Sequence, residues 1–122
     1  MPGFFIALII LRGAWRILSE SIDILLESTP KDIDVDKVAA VIKSRVSGIK
    51  DLHDLHVWAI TSGVRAFSAH ILIEDTLLSK CGEVSKEIKE ILNKEFNISH
   101  PTLEFECESC EGPIICPIDK KE

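Results

Sequence analysis

DLHDLHVWAITSGVRAFSAH, residues 51–70, carries three of the chain's four histidines and reads as one β-hairpin. Ile, Val, Trp and Phe crowd residues 49–60 and 64–74, and Ser62-Gly63 separates the two runs, the pattern of extended segments around a short glycine-containing turn. Side chains alternate faces along a strand, so His53, Leu55, Val57 and Ala59 are expected on one face and Asp54, His56, Trp58 and Ile60 on the other. With Ser62-Gly63 as a two-residue loop, Thr61 opposes Val64, Leu55 opposes His70, and His53 opposes Leu72. His70 then shares a face with His53 as its diagonal neighbour, about 7–8 Å away and within reach of a common ion. His56 is left opposite Ala69 as a packing residue. A three-residue loop would pair His56 with His70 instead.

Working outward, Asp34 can cap a helix whose Val35, Val38, Ala39, Ile42 and Val46 form one apolar face, with a stop near Gly48. Beyond the hairpin, a helix after Ser79 turns Val84, Ile88, Ile91, Leu92 and Phe96 inward and its lysines and glutamates outward. Thr102–Cys107 supplies a last strand. The order α-β-β-α-β predicts an α+β open sandwich, ferredoxin-like but short of its first strand, with two helices on one face of a three-stranded sheet. The uncovered face, carrying apolar residues such as Trp58, Ile60 or Phe67, is expected to be an association surface, and a homodimer follows.

Residues 1–29 differ in kind. Pro2–Leu11 is uncharged, and Ala14, Trp15, Ile17 and Leu18 continue the apolar pattern past Arg12 and Arg16. About 20 apolar residues are needed to cross a bilayer, so the uncharged run alone falls short. The arginines and Trp15 match the cytoplasmic end of a membrane helix, and Arg12 and Arg16 follow the apolar block where a secretory signal would have charge before it. An amphipathic continuation, Ile17–Leu26, is expected to end at Ser28-Thr29-Pro30. The chain thus divides into a membrane-helix remnant and its extension (1–29), a soluble domain (30–107) and an irregular tail (108–122).

Composition narrows the function. A net charge of −6 and a pI near 5.2 leave no basic surface for nucleic acid. No phosphate loop or nucleophile elbow is present, so catalysis is not expected. Without an export signal the cysteines read as reduced thiols. Cys107 and Cys110 form a C-x-x-C with Cys116 behind it, a spacing that lets two thiolates take one metal. His100 opens the last strand, with Glu104 and Glu106 downstream. Histidine and carboxylate together suit a borderline divalent ion, zinc foremost, with Mn, Fe, Co and Cd as further candidates. Neutral imidazole and thiolate are the binding forms, so affinity should weaken as pH falls through about 6.5.

LRGAWRILSESIDILLESTP, DLHDLHVWAITSGVRAFSAHILIED and HPTLEFE together resemble the end of the sixth transmembrane helix and the cytoplasmic C-terminal domain of the cation diffusion facilitator family, proton-coupled exporters of zinc and related divalent metals. The resemblance implies a metallochaperone-like domain that dimerises below the membrane and regulates transport when it binds metal. His53, His70 and the His100/Glu106 region match metal-binding positions of that family. Cys107 and Cys110 resemble the C-terminal cysteine pair that some relatives add. The family's transport site lies on earlier helices with no counterpart here, so the chain is expected not to carry an ion across a bilayer by itself. The beginning at Met1-Pro2-Gly3, inside that helix, favours a truncated transporter over an excised domain or a separate subunit. Two other functions stand beside the regulatory one: a stand-alone cytosolic metal buffer or chaperone, and a dimerisation platform that binds no metal.

Overall fold

The computed structural model describes residues 1–107. The elements run α1 (Pro2–Leu25), α2 (Val35–Arg45), β1 (Ile49–Thr61), β2 (Val64–Ile73), α3 (Leu78–Phe96) and β3 (His100–Glu106). The tail 108–122, with Cys110 and Cys116, lies outside the described residues.

α1 is one helix of 24 residues with none of them buried. At 1.5 Å per residue it is about 36 Å long, against a hydrocarbon core of about 30 Å. Its mean hydropathy of 1.4 over an 18-residue stretch makes it long and apolar enough to cross a membrane by length and composition. The uncharged run remains about half of the length needed to cross, and the rest comes from the helix continuing unbroken through Arg12 and Arg16 as one rod. It stops just ahead of Pro30, with Glu27 in a left-handed conformation and the Leu26, Glu27 and Ser28 amides bonded back to carbonyls of Ile22, Ile24 and Asp23.

Asp34 caps α2 as expected, its carboxylate accepting from the backbone N–H groups of Asp36 and Lys37. α3 closes on Asn97 in the left-handed conformation, a residue type that tolerates it. Arg65 in β2 ties these parts together: its guanidinium donates to Asp32 at 2.6 Å and to the Phe96 carbonyl at 3.0 Å.

The sheet has the order β1-β2-β3, with β1 antiparallel and β3 parallel to β2. α2 and α3 cover one face. Val38, Ile42, Ile88 and Leu92 from the helices meet Leu52, Leu55, Val57, Phe67, Ala69, Ile71 and Ile73 from the strands. Phe67 is fully buried in this core, which corrects its expected place on the uncovered face. That face carries Trp58, half-buried, with Ile60, half-exposed, at the hairpin end of β1.

β1 and β2 are joined at Ser62-Gly63, where Gly63 has φ +83°, and Thr61 opposes Val64 as expected. The register then departs from a simple ladder. Lys50 and Ile60 are each inserted into β1 without a partner, and Asp54 and Leu55 together oppose Ala69. β1 therefore spends 13 residues where β2 spends 10.

Candidate metal centre

Two of those insertions fall between the turn and His53, so His53 opposes His70 directly, where Leu72 was expected. The first reverses the facing of β1 and the second restores it, so both imidazoles stand on the uncovered face, ring centroids 5.5 Å apart. The insertion at Asp54 also overturns the expected alternation. His53 leaves the face of Leu55 and Val57, which enter the core, and joins His56 and Trp58 on the other side. His56 opposes Ser68 and not Ala69. It is half-exposed and reaches Asp54 at 3.0 Å, so packing does not describe it.

β3 brings the carboxylates. Its register sets Glu104 beside His70 and Glu106 beside Leu72, so alternation aims both onto the face that holds the imidazoles. His53, His70 and Glu106, one residue from each strand, each offer a ligand atom within 4.8 Å of the others. His70 Nδ1 lies 2.5 Å from Glu106 Oε1, and His70 Nε2 lies 3.5 Å from Asp54 and 3.6 Å from Glu104.

His53 is the telling member. Only 2% of its side chain is exposed, and neither ring nitrogen has a hydrogen-bond partner; nor does Glu106 Oε2. Nε2 and Oε2 stand 3.2 Å apart without the alignment of a hydrogen bond. An orphaned buried polar group costs about 1–3 kcal/mol, and such groups ask for an explanation. A tetrahedral zinc with ligands at about 2.0–2.2 Å holds its ligand atoms roughly 3.3 Å apart, so the separation seen here matches an edge of that figure. The donor set, two imidazoles and a carboxylate, is one that zinc accepts. The three residues fit a divalent ion.

The surroundings favour a cation. Glu104 and Glu106 find only histidines as ion-pair partners among the described residues. Asp51, 4.0 Å from His53 Nδ1, is held below the ordinary carboxylate value by its hydrogen bond from Lys43.

The other expected ligands stand apart. His100 pairs with Ala66 and is exposed, four residues from Glu104 and so about 13 Å along the strand. Cys107, exposed, follows the end of β3 and is not in the cluster. Cys110 lies outside the described residues. Asp54 was missed by the sequence reading, although an aspartate inside a β-branched and aromatic run is a recognised mark of irregular pairing.

Comparison with known proteins places the chain. The family described as "Cation efflux protein, cytoplasmic domain" matches residues 30–108. The metal cation efflux system protein CzcD of Cupriavidus metallidurans is 39% identical over 106 residues, which cover 87% of this chain and 33% of CzcD. A cadmium, cobalt and zinc/H(+)-K(+) antiporter of Bacillus subtilis is 34% identical, covering 95% of this chain and 38% of the antiporter. The chain thus spans about a third of the length of the curated relatives it matches. Among solved structures, the metal-bound C-terminal domain of the CzcD transporter matches with a TM-score of 0.53 and 35% identity, over 61% of this chain and 99% of that one. A structure of CzrB shares the fold at a TM-score of 0.59 and 20% identity, over 67% of this chain and 100% of that one.

Proposed function

This chain belongs to the cation efflux family, carrying its cytoplasmic domain, and on that premise we propose that residues 30–107 sense a divalent metal for an efflux transporter through His53, His70 and Glu106. Zinc is the first candidate, with cadmium and cobalt next, since those metals appear in the names of relatives. The observation that carries the reading is His53, buried with neither ring nitrogen hydrogen-bonded beside a carboxylate oxygen that also lacks a hydrogen bond.

Sensing follows from where the donors sit. Each comes from a different strand, so an ion held by all three fastens β1 to β2 and β2 to β3 at one end of the sheet. Metal that binds the folded chain better than the unfolded one raises stability by RT ln(1 + [M]/Kd), about 2.7 kcal/mol at a hundred times Kd. The uncovered sheet face, with Trp58 and Ile60, supports a homodimer through that surface. α1, with Arg12, Trp15 and Arg16, supports a place at the membrane with the domain on the cytoplasmic side. One such helix encloses no pathway, so we assign these residues binding and regulation, not translocation.

Calorimetric titration of the full chain in detergent with Zn²⁺ tests this. The expected result is saturable binding that weakens at least tenfold in His53→Ala, His70→Ala and Glu106→Gln. Undiminished binding in all three variants would refute the assignment, and absence of binding to the parent chain would leave a dimerisation platform.

A further inference from the structure

Asp54 touches the candidate centre in two ways. It is the inserted residue at the β1 irregularity and sits at φ +51°, a left-handed conformation that Gly, Asn and Asp tolerate and other residues adopt only at a cost. Its carboxylate also lies between two imidazoles, Oδ1 3.0 Å from His56 Nε2 and Oδ2 3.5 Å from His70 Nε2. His70 meanwhile turns Nδ1 toward Glu106, inside the triangle formed with His53. A neutral imidazole has one N–H and one lone pair, and the partner of one nitrogen decides which is which.

We propose that Asp54 is a positioning residue: its carboxylate takes the Nε2–H of His70, so that the Nδ1 lone pair faces the ion, while its left-handed backbone puts His53 opposite. The proposal rests on the metal-sensing reading above and adds how its central ligand is aimed. Glu104 is the competing acceptor at 3.6 Å, but its side chain is 68% exposed against 25% for Asp54. Asp54 is also held by His56 at 3.0 Å, whereas Glu104 has no second side-chain contact among the described residues.

Nitrogen-15 NMR of the full chain in detergent micelles, with labelled histidine, reads the ring nitrogens directly, with Zn²⁺ alone as the probe. In the metal-free parent the hydrogen bond to Glu106 puts a proton on His70 Nδ1; in the zinc-loaded parent His70 should carry its proton on Nε2 and bind zinc through Nδ1. Asp54→Gly keeps the backbone and removes the carboxylate; it should mix the two tautomers and weaken zinc binding by 10- to 100-fold, the range seen for lost partners of ligating histidines. Asp54→Asn keeps both the backbone and an acceptor, and should restore affinity to within about threefold of the parent, as should Glu104→Gln. Zinc on Nε2 of His70 in the parent would overturn the proposal without any variant. So would parent-like affinity in Asp54→Gly, or an Asp54→Asn as weak as Asp54→Gly with its tautomer intact, since charge alone would then be at work. A parent that takes up no zinc would instead remove the metal-sensing reading, and this one with it.

Discussion

β1 and β2 span the same ladder, from Ile49 opposite Ile73 to Thr61 opposite Val64, yet they spend their residues differently. β2 alternates without interruption: Phe67, Ala69, Ile71 and Ile73 enter the core, while Ala66, Ser68, His70 and Leu72 face the other way. β1 carries three extra residues, and each re-aims the side chains beyond it. β2 lies between two neighbours and must satisfy hydrogen bonds on both edges, whereas β1 is an edge strand with one edge unpaired. Irregularity is tolerated there, and edge bulges with charged residues also discourage pairing with foreign strands. The regular strand thus supplies the frame and carries His70, and the irregular strand sets His53 opposite it. His53 could not stand opposite His70 while Leu52 and Leu55 both entered the core unless a residue were inserted between them.

The contrast breaks most visibly in stability. Phe67 is fully buried at the centre of β2, and Phe67→Ala should cost about 3–5 kcal/mol, from lost transfer energy and the cavity left behind. Urea denaturation of the metal-free chain measures it, and a loss under about 1 kcal/mol would mean that β2 is not the frame.

The irregular strand should answer with the opposite sign. His53→Leu removes two buried nitrogens that lack a hydrogen bond and fills the place with apolar volume, offset by the loss of an ion-pair partner for Glu106, so the metal-free chain should lose no stability and gain up to about 1 kcal/mol. The same substitution should abolish the rise in melting temperature on adding zinc. A stability held below its maximum by a buried group without a hydrogen bond is what the proposed ligand role leads us to expect. A destabilised metal-free variant would show that His53 serves the fold alone.

The same contrast explains what the sequence could tell. β2, α2 with its Asp34 cap, and α3 with its apolar face were legible because each obeys one period throughout. The hairpin was legible from Ser62-Gly63. The register was not, since a ladder drawn from the turn has no room for residues that pair with nothing, and Ile60 and Asp54 each displace it by one. That His53 and His70 still share a face owes to two displacements cancelling in parity. His56 had no such compensation: only one displacement separates it from the turn, so its opposite residue became Ser68. Glu106 was legible as a donor type, but its approach depends on β3 lying parallel to β2, a pairing between distant segments that no local pattern encodes. His100 illustrates the converse, a residue of the right type on the right strand whose position along that strand puts it beyond reach.

The smallest expected effect lies where β1 meets α2. Lys50 is the inserted residue, and Asp51 after it reaches round the open edge to Lys43 at 2.7 Å. The hydrogen bond from Lys43 holds the pKa of Asp51 below its ordinary 3.8, outweighing the opposing effect of burial. A depressed carboxylate contributes stability above its unfolded value and loses it as pH falls through the folded one. Lys43→Ala should therefore cost a few tenths of a kcal/mol at about pH 7, both side chains being nearly half exposed, and almost nothing at about pH 2. Urea titrations at the two pH values compare the variant with the parent. An equal loss at both would assign Lys43 a packing role through its aliphatic stem, and the insertion at Lys50 would then need another reason for turning Asp51 toward the helix.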